Sequence, residues 1–335
     1  MIIFICICVL MLSCCLTGLL RRYALIHSLI DIPNARSSHD VPTPRGGGVA
    51  IVLSFLLIVP ILSFMGAIDS HTMVAYLGGG LLVALIGFAD DHGHIAARWR
   101  LCGHFIAAAW ILFWIGGLAP LIFPWGEVDL RWCGNFLALL FLVWMLNLYN
   151  FMDGIDGLAS VEAISTCGGA CLIYMLAGNF HLVGLPLVIS SAVGGFLMWN
   201  FPPAKIFMGD AGSGFLGIII GAFVLQSAWS EGGFFWSWLI LLGVFVVDAT
   251  WTLAYRMIRG EKIYQAHRSH AYQFASRQLS SHRAVTMGIA AINIFWLLPL
   301  AIGAVCVPKI GGVIVCIAYF PLCILAYKFR AGCEE

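Results

Sequence analysis

The sequence predicts an all-α, polytopic membrane protein, folded as a helical bundle in a single domain over residues 1–335. Two observations carry this prediction. Hydrophobic residues make up 61% of the chain and charged residues only 10%, and the apolar residues occur in long uninterrupted runs. A helix needs roughly 20 residues to cross a hydrocarbon core of about 30 Å. Because the runs are continuous rather than alternating, and unpaired backbone groups are costly in lipid, helices are favoured over a β-barrel.

About eleven apolar runs are predicted to be membrane spans. They lie near residues 1–20, 47–68, 73–89, 101–118, 134–149, 160–177, 182–199, 214–229, 234–254, 285–306 and 311–327. The first run is predicted to remain as a helix, because a signal peptide has a basic region before its apolar stretch. Here Arg21 and Arg22 come after that stretch.

The basic residues are distributed unequally between the two sides of the predicted bundle. If the amino terminus is periplasmic, all but two of the 17 lysines and arginines fall in loops on the other side, the exceptions being Arg131 and Lys309. The positive-inside rule then predicts a cytoplasmic carboxyl terminus and cytoplasmic loops near 21–46, 90–100, 147–160, 200–213 and 255–284. A net charge of +1 with this sidedness suits anionic lipid or an anionic substrate, and we expect no nucleic-acid partner.

Five aspartates occur where apolar segments meet these cytoplasmic loops, namely Asp90, Asp91, Asp153, Asp156 and Asp210. Together they predict a metal-dependent site that acts on phosphates. The adjacent carboxylates of Asp90 and Asp91 repel each other, and a divalent cation would remove that conflict. Taken singly, each feature has a simpler alternative, since an Asp-Asp pair is often a solvated helix end and Asp210 could be a helix N-cap.

The spacing of polar residues in the third cytoplasmic loop is the most specific pattern in the chain. Asn147, Asn150, Asp153 and Asp156 recur every three residues. On a helical or 3₁₀ backbone they would lie near one face, presenting two amides and two carboxylates. Glycines at 154 and 157 predict a local break in the helix at the membrane surface.

Basic residues and glycines in the first cytoplasmic loop suit a phosphate ligand. Arg36 and Arg45 are natural phosphate contacts, and Arg45 is followed directly by Gly46, Gly47 and Gly48. Glycines let the backbone approach a ligand or another helix closely. Packing of helices is therefore the alternative interpretation of these glycines.

The last cytoplasmic loop combines arginine and histidine. Arg268 and His270 are candidates for phosphate contact, although basic residues beside a membrane can simply attract anionic lipid. Asp248 lies inside the ninth predicted span. A charge is expensive there, so Asp248 is a functional candidate or the partner of a basic neighbour.

In their order along the chain, these strings resemble the polyprenyl-phosphate N-acetylhexosamine-1-phosphate transferases, which are related to phospho-MurNAc-pentapeptide transferase within glycosyltransferase family 4. The resemblance covers essentially the whole chain and rests on Asp90-Asp91, the string from Asn150 to Ala159, the string from Phe207 to Ser213 and the histidine-bearing last loop. The forms Arg45-Gly-Gly-Gly and Arg268-Ser-His-Ala-Tyr are closer to the O-antigen-initiating branch. Tyr272 stands where many relatives carry a second histidine.

The resemblance implies an enzyme that transfers HexNAc 1-phosphate from a UDP-N-acetylhexosamine to undecaprenyl phosphate and releases UMP. It also implies Mg²⁺ as the cofactor, with Mn²⁺ as a substitute, and a place in the bacterial inner membrane among membrane lipids, with the active site facing the cytoplasm. Relatives include dimers, so a homodimer is an expectation too.

Site residues are expected in three groups. The catalytic groups are Asp90, Asp91, Asp156, Asp210 and His270; the metal ligands are Asp90, Asp91, Asp153 and Asp210; and the substrate-binding residues are Arg45, Asn147, Asn150, Asp153, Phe207, His267 and Arg268. By match to the family's motif, Phe207 is placed like an aromatic side chain that stacks on uracil.

Two other classes of membrane protein are alternatives. A secondary transporter would also have about ten spans and buried acids, but its site usually lies near the bilayer midplane on broken helices. Here nearly all the acids lie at the ends of spans on one side. A membrane prenyltransferase would require paired Asp-x-x-x-Asp strings, which the aspartate pair at 90 and 91 does not form.

Overall fold

The computed structural model describes residues 1–33, 41–93, 95–261 and 267–333. The helices in these ranges are α1 (Ile2–Ile26), α2 (Val49–Phe64), α3 (Ser70–His92), α4 (Ala97–Ile115), α5 (Arg131–Met152), α6 (Leu158–Leu176), α7 (Gly184–Asn200), α8 (Asp210–Ala228), α9 (Gly232–Leu241), α10 (Gly243–Ile258), α11 (Ala271–Leu279), α12 (His282–Ile292), α13 (Leu298–Cys306) and α14 (Gly311–Lys328). A π-helix, Asn293–Leu297, joins α12 to α13. Two short antiparallel ribbons complete the fold, β1 (Ile30–Asp31) with β2 (Thr43–Pro44) and β3 (Leu121–Phe123) with β4 (Gly126–Val128).

The chain is a multi-pass, helical membrane protein with fewer clear spans than predicted. Within the described residues, eight helical segments are long and apolar enough to cross a membrane, or nine if the bent pair α9–α10 is one span. Two of the eleven predicted spans, those near 47–68 and 101–118, are not supported. Helix α2 has 16 residues, which is about 24 Å of helix, and α4 begins with Arg98 and Arg100 in its first turn.

Helix α8 forms the centre of the bundle. In the apolar stretch of α8, 94% is buried within the protein. The helix packs against α3, α5 and α9. Glycine makes this packing close, since a Cβ on Gly217 would lie 2.3 Å from the carbonyl oxygen of Met145, and one on Gly87 would lie 2.6 Å from backbone atoms of Ala211. The first residue of α8, Asp210, is therefore held at the middle of one end of the bundle.

Two irregular segments occur in the carboxyl-terminal half. Helices α9 and α10 are bent by 67° relative to each other, and Asp248 lies in the second of them. The π-helix begins at Asn293, whose side-chain amide donates to the buried carboxyl of Glu162 at 2.6 Å. This hydrogen bond ties the π-helix to α6.

Candidate active site

The carboxylate of Asp91 caps the start of the central helix. Asp91 is buried at the end of α3, and its two oxygens accept from the backbone N–H groups of Asp210 and Ala211, both at 3.3 Å. Gly209 precedes the helix with a φ of +78°, and a Cβ there would lie 2.8 Å from an Asp91 oxygen. The N-cap position is thus Gly209. The alternative interpretation of Asp210 as the N-cap is wrong, because the carboxylate of Asp91, from α3, accepts from the first N–H groups of α8.

Arg100 lies between the carboxylates of Asp90 and Asp210. The Arg100 guanidinium donates to Asp90 in a close ion pair, and the same nitrogen lies 3.3 Å from Asp210. The second interaction of Asp90 is with the backbone N–H of Ile95 at 2.9 Å. Asp90 and Asp210, far apart in sequence, are therefore neighbours that share one cationic group.

The loop before α2 packs on the segment before α8. Gly47 and Gly48 donate their backbone N–H groups to the carbonyls of Phe207 and Met208, at 2.9 and 2.8 Å. A Cβ on Gly48 would lie 2.5 Å from the Cα of Gly212. The glycines thus serve packing between elements, as the alternative interpretation held. Arg45 is exposed and donates to the backbone carbonyl of Asp91, while the other predicted phosphate contact, Arg36, lies outside the described residues.

The two asparagines of the third loop extend towards α8. Asn150 donates its side-chain amide to the Ser213 hydroxyl at 3.2 Å, and Asn147 donates to the carbonyl of Val143 one turn earlier at 2.7 Å. Both asparagines line a small cavity together with Asp210 and Arg100. The three-residue spacing of Asn147 and Asn150 therefore brings both side-chain amides close to acidic residues of other loops.

The predicted helix break occurs directly after the asparagines. Helix α5 ends at Met152, and Gly157 has a φ of +73°. Asp156 then faces away from α8, because its carboxylate accepts from the N–H of Ala204 at 3.0 Å and lies 3.3 Å from the His282 imidazole. Asp156 thus lies on a different side of the loop from Asn147 and Asn150.

Asp153, the residue that follows α5, is influenced by the charges of other predicted site residues. Burial raises the pKa of this carboxyl well above its usual range, and the negative charges of Asp210, Asp91 and Asp156 raise it further. Four of the predicted acids are thus close enough to influence one another. A cation bound nearby would offset this repulsion.

The loop that carries His270 contacts the loop that follows α5. The phenol of Tyr272 donates to the backbone carbonyl of Phe151 at 2.9 Å, and a Cβ on Gly154 would lie 2.1 Å from that phenol oxygen. His270 is buried, and its ring stacks near that of Phe151 with centroids 6.2 Å apart. Only glycine at 154 permits this contact.

His267 lies beside His270, with ring centroids 5.0 Å apart. Burial lowers the pKa of His267 to about 3, and the neighbouring His270 and Arg256 lower it further. Its Nδ1 accepts a hydrogen bond from the Ser269 hydroxyl at 3.0 Å. His267 is therefore a neutral hydrogen-bonding group at neutral pH. Arg268 is half-buried between the two histidines in sequence.

The possible metal ligands beside Arg100 are the carboxylate oxygens of Asp90 and Asp210 and the side-chain amides of Asn147 and Asn150, which line the same cavity as Asp210. Within the described ranges, no three Asp, Glu, His or Cys side chains are arranged to hold a metal ion. The position between Asp90 and Asp210 nevertheless suits a cation, because the Arg100 guanidinium lies there. Carboxylate and amide oxygens are the ligands that Mg²⁺ prefers, so the donor chemistry fits that ion.

Two contributors to this cluster were missed from the sequence. These are Arg100 and His282, neither of which is among the site residues expected from the sequence. Arg100 follows Asp90 by ten residues and opens an apolar helix, where an arginine is unusual. This position of Arg100 is the sequence feature that could have indicated a role in the site. Nothing in the sequence around His282 indicates its contact with Asp156.

Comparison with known proteins agrees with the resemblance. Residues 73–228 match the model of the family described as Glycosyl transferase family 4. This segment begins in α3 and ends with α8, so it contains Asp90, Asp91, Asp153, Asp156 and Asp210. The acids that the structure brings together thus lie within the matched region.

Similar proteins are found among bacterial membrane transferases. A probable undecaprenyl-phosphate N-acetylglucosaminyl 1-phosphate transferase of Bacillus subtilis (strain 168) is 29% identical over 284 residues, covering 83% of this chain and 78% of that protein. A decaprenyl-phosphate N-acetylglucosaminephosphotransferase of Mycolicibacterium smegmatis is 32% identical, over 62% of this chain and 55% of its own length. The phospho-N-acetylmuramoyl-pentapeptide-transferase of B. subtilis is 29% identical, over 62% of this chain and 68% of its own. The acids converge inside the matched segment, and relatives of this kind extend along most of the chain, so residues 73–228 belong to glycosyl transferase family 4.

Proposed function

We propose that the protein is a polyprenyl-phosphate sugar-1-phosphate transferase that moves HexNAc 1-phosphate from a UDP-N-acetylhexosamine to undecaprenyl phosphate and releases UMP. This reaction would start the synthesis of O-antigen or a related surface polysaccharide. The observation that carries the proposal is the position of Asp90 and Asp210 on either side of the Arg100 guanidinium, at the amino end of the buried helix α8.

Phosphoryl transfer mainly requires alignment of the reactants and neutralisation of their charge. Arg100 and Arg45 supply fixed positive charge next to the carboxylates. Asp90 and Asp210 would hold Mg²⁺, with Asp91 and Asp153 close by, and the ion would neutralise the donor's diphosphate when bound. This division of roles explains why so many acids lie at a site for anions.

The acceptor phosphate needs little help to become a nucleophile. By analogy with phosphorylated side chains, its second pKa is about 6, so it is largely ionised at neutral pH. Asp90 or Asp91 would orient it or take its last proton, and we propose direct in-line attack on the donor. His270 and Arg268 would contact the phosphates from the last loop. Phosphoenzyme trapped from the donor without acceptor would contradict direct attack.

The nucleotide would bind beside the segment before α8. Phe207 is half-buried there, and its backbone is fixed by hydrogen bonds to Pro44 and Gly47. A ring held in this way suits stacking on uracil. His267, neutral at physiological pH, would contribute hydrogen bonds to the donor rather than charge.

The prenyl chain of the acceptor requires an apolar surface that reaches the site. A cavity of about 230 Å³ lies between α10, α11, α12 and α14, and its walls are almost entirely apolar. They include Val244, Ala275, Gly288 and Leu325, and Tyr272 lies at the edge that approaches the third loop. We propose that part of the prenyl chain occupies this cavity, which places the lipid phosphate near His270.

A secondary transporter explains the arrangement less well. The acids converge at the ends of α3, α5 and α8 rather than at mid-membrane. The bent pair α9–α10 carries Asp248, but that carboxylate is fully used by groups of the last loop. The matched relatives are named as transferases.

The test is UMP release by purified protein supplied with undecaprenyl phosphate and a panel of donors, UDP-GlcNAc, UDP-FucNAc and UDP-QuiNAc. We expect UMP and an extractable lipid-linked sugar with at least one donor, only when both substrates and Mg²⁺ are present. Asp210→Asn should abolish both products, whereas Asp129→Asn, an exposed acid beside β4, should not. Folded wild-type protein that releases no UMP with any donor would refute the proposal.

A further inference from the structure

Asp248 is the acidic residue of the bent pair α9–α10, and four groups donate to its carboxylate. These are the backbone N–H groups of Ala271 and Tyr272, at 2.9 and 3.0 Å, the Thr252 hydroxyl at 3.2 Å and the Nδ1 of His270, also at 3.2 Å. Asp248 and His270 are both almost completely buried. A buried carboxylate is stable only when it is hydrogen-bonded in this way.

The contact with Nδ1 decides which imidazole nitrogen of His270 is left for other partners. A carboxylate only accepts, so Nδ1 must carry the proton. The tautomer and ring orientation of a histidine are set by the hydrogen bond that one of its nitrogens makes. The His270 side chain also takes part in a capping box with Gln273 at the start of α11. With Nδ1 facing Asp248, we assign Nε2 to the substrate phosphates.

The same carboxylate fixes the position of the segment that carries His270. Helix α11 begins at Ala271, and Asp248 accepts from its first two N–H groups across the gap from α10. This interaction attaches the start of α11 to the bent span, and Tyr272 attaches it in turn to the third loop through the carbonyl of Phe151. His270 is thus held between the apolar cavity and the acidic cluster.

We propose that Asp248 is a positioning residue for the transfer reaction, which acts through His270 by fixing its tautomer and ring so that Nε2 faces the reacting phosphates. The inference rests on the proposed function, since it assigns a role within that reaction. Asp248 also lines the apolar cavity, but its carboxylate is occupied by these four donors rather than by a substrate phosphate. We expect its effect on turnover to depend on the imidazole of His270.

A double-mutant cycle tests this dependence. Asp248→Asn keeps one acceptor for the α11 amides but places an amide N–H₂ opposite Nδ1. We expect it to lower kcat by about tenfold or more, with a smaller change in the KM for the UDP-sugar. In a His270→Asn background the same substitution should change kcat by less than about threefold, because residues that act as a unit are not additive.

Thr252→Val is the matched control, because it removes the hydroxyl donor to Asp248 and leaves the carboxylate and its contacts with the last loop intact. It should keep wild-type kcat. Asp248→Glu serves as a second variant if Asp248→Asn does not fold, and its loss of kcat should likewise disappear when His270 is replaced.

Two results would overturn the inference while leaving the proposed function intact. One is a wild-type kcat in both Asp248 variants, and the other is the same fold-loss with and without His270, which would indicate a purely structural cap. Lack of UMP release by the wild-type protein is a different outcome, which would refute the proposed function and this inference with it.

Discussion

At the scale of single residues, the protonation of His267 makes the stability of the folded protein depend on pH. Its folded pKa of about 3 lies below the ordinary value of 6.5, so the unfolded chain binds a proton that the folded protein does not. The contribution to stability is complete above the ordinary pKa and decreases as the pH falls towards the folded pKa. Wild-type protein should therefore lose stability between about pH 7 and pH 4.

His267→Asn should reduce that loss, because asparagine does not titrate in this range. Thermal unfolding of the detergent-solubilised protein, compared at about pH 7.5 and about pH 5, measures the effect. His71→Asn is the control, since His71 is an exposed histidine at the other end of α3. Equal pH dependence in His267→Asn and wild type would show that His267 titrates normally.

Much of the acidic cluster could be predicted from residue types, but their partners could not. The aspartate pair and the triplet spacing of Asn147 and Asn150 identify groups that belong near phosphate or metal. The sequence does not show that Asp91 caps α8 or that Asp156 faces Ala204. Those contacts depend on where α3, α7 and α8 end relative to each other, which is a property of the packed bundle.

At the scale of secondary-structure elements, the contact between the first loop and α8 depends on glycine. A Cβ on Gly212 would lie 2.6 Å from the Cα of Gly48, whereas one on Gly214 would first meet the side chain of Val83 at 3.4 Å. Backbone atoms cannot move aside as a side chain can. Overpacking of this kind typically costs about 1–3 kcal/mol.

Gly212→Ala should therefore lower both the unfolding temperature and the rate of UMP release, because it separates the first loop from the start of α8. Gly214→Ala is a matched control in the same helix and gains the same intrinsic helix propensity, about 1 kcal/mol. It should be neutral or stabilising. Equal behaviour of the two alanine variants would contradict the close contact at Gly48.

Element boundaries show where the sequence was informative. The break after Met152 was predicted from Gly154 and Gly157, and the structure confirms it. The bend between α9 and α10 falls at Leu242 and Gly243. A single glycine within a largely apolar run does not by itself predict a bend, so the sequence predicted one continuous span there.

At the scale of the whole molecule, the apolar cavity beside α10 should govern access of the lipid acceptor. Gly288 and Gly303 lie in the same span, and a Cβ on either would meet no atom within 4 Å. Only Gly288 lines the cavity. Gly288→Phe should fill it and raise the KM for undecaprenyl phosphate, with little effect on the KM for the UDP-sugar.

Gly303→Phe is the matched control and should leave both KM values unchanged. Initial rates over a range of lipid concentrations in mixed micelles supply the measurement. If Gly288→Phe binds the acceptor as well as Gly303→Phe does, the prenyl chain lies elsewhere.

The fold class and the membrane nature of the protein were predicted correctly from hydropathy, but the number of spans was not. Hydropathy identifies an apolar run without its helical limits. The run at 47–68 contains a helix of only 16 residues, and the run at 101–118 belongs to a helix that starts with Arg98 and Arg100. The periplasmic amino terminus and cytoplasmic site stay predictions from the distribution of lysine and arginine.

In the proposed site, carboxylates from separate loops converge to bind one divalent cation and phosphates. Mn²⁺ binding to purified protein, followed by electron paramagnetic resonance in the presence of UDP-N-acetylglucosamine, tests this without requiring turnover. We expect a single tight site in the wild type and in Asp129→Asn, weakened by about tenfold or more in Asp90→Asn and in Asp210→Asn. Unchanged Mn²⁺ affinity in both of those variants would contradict the claim.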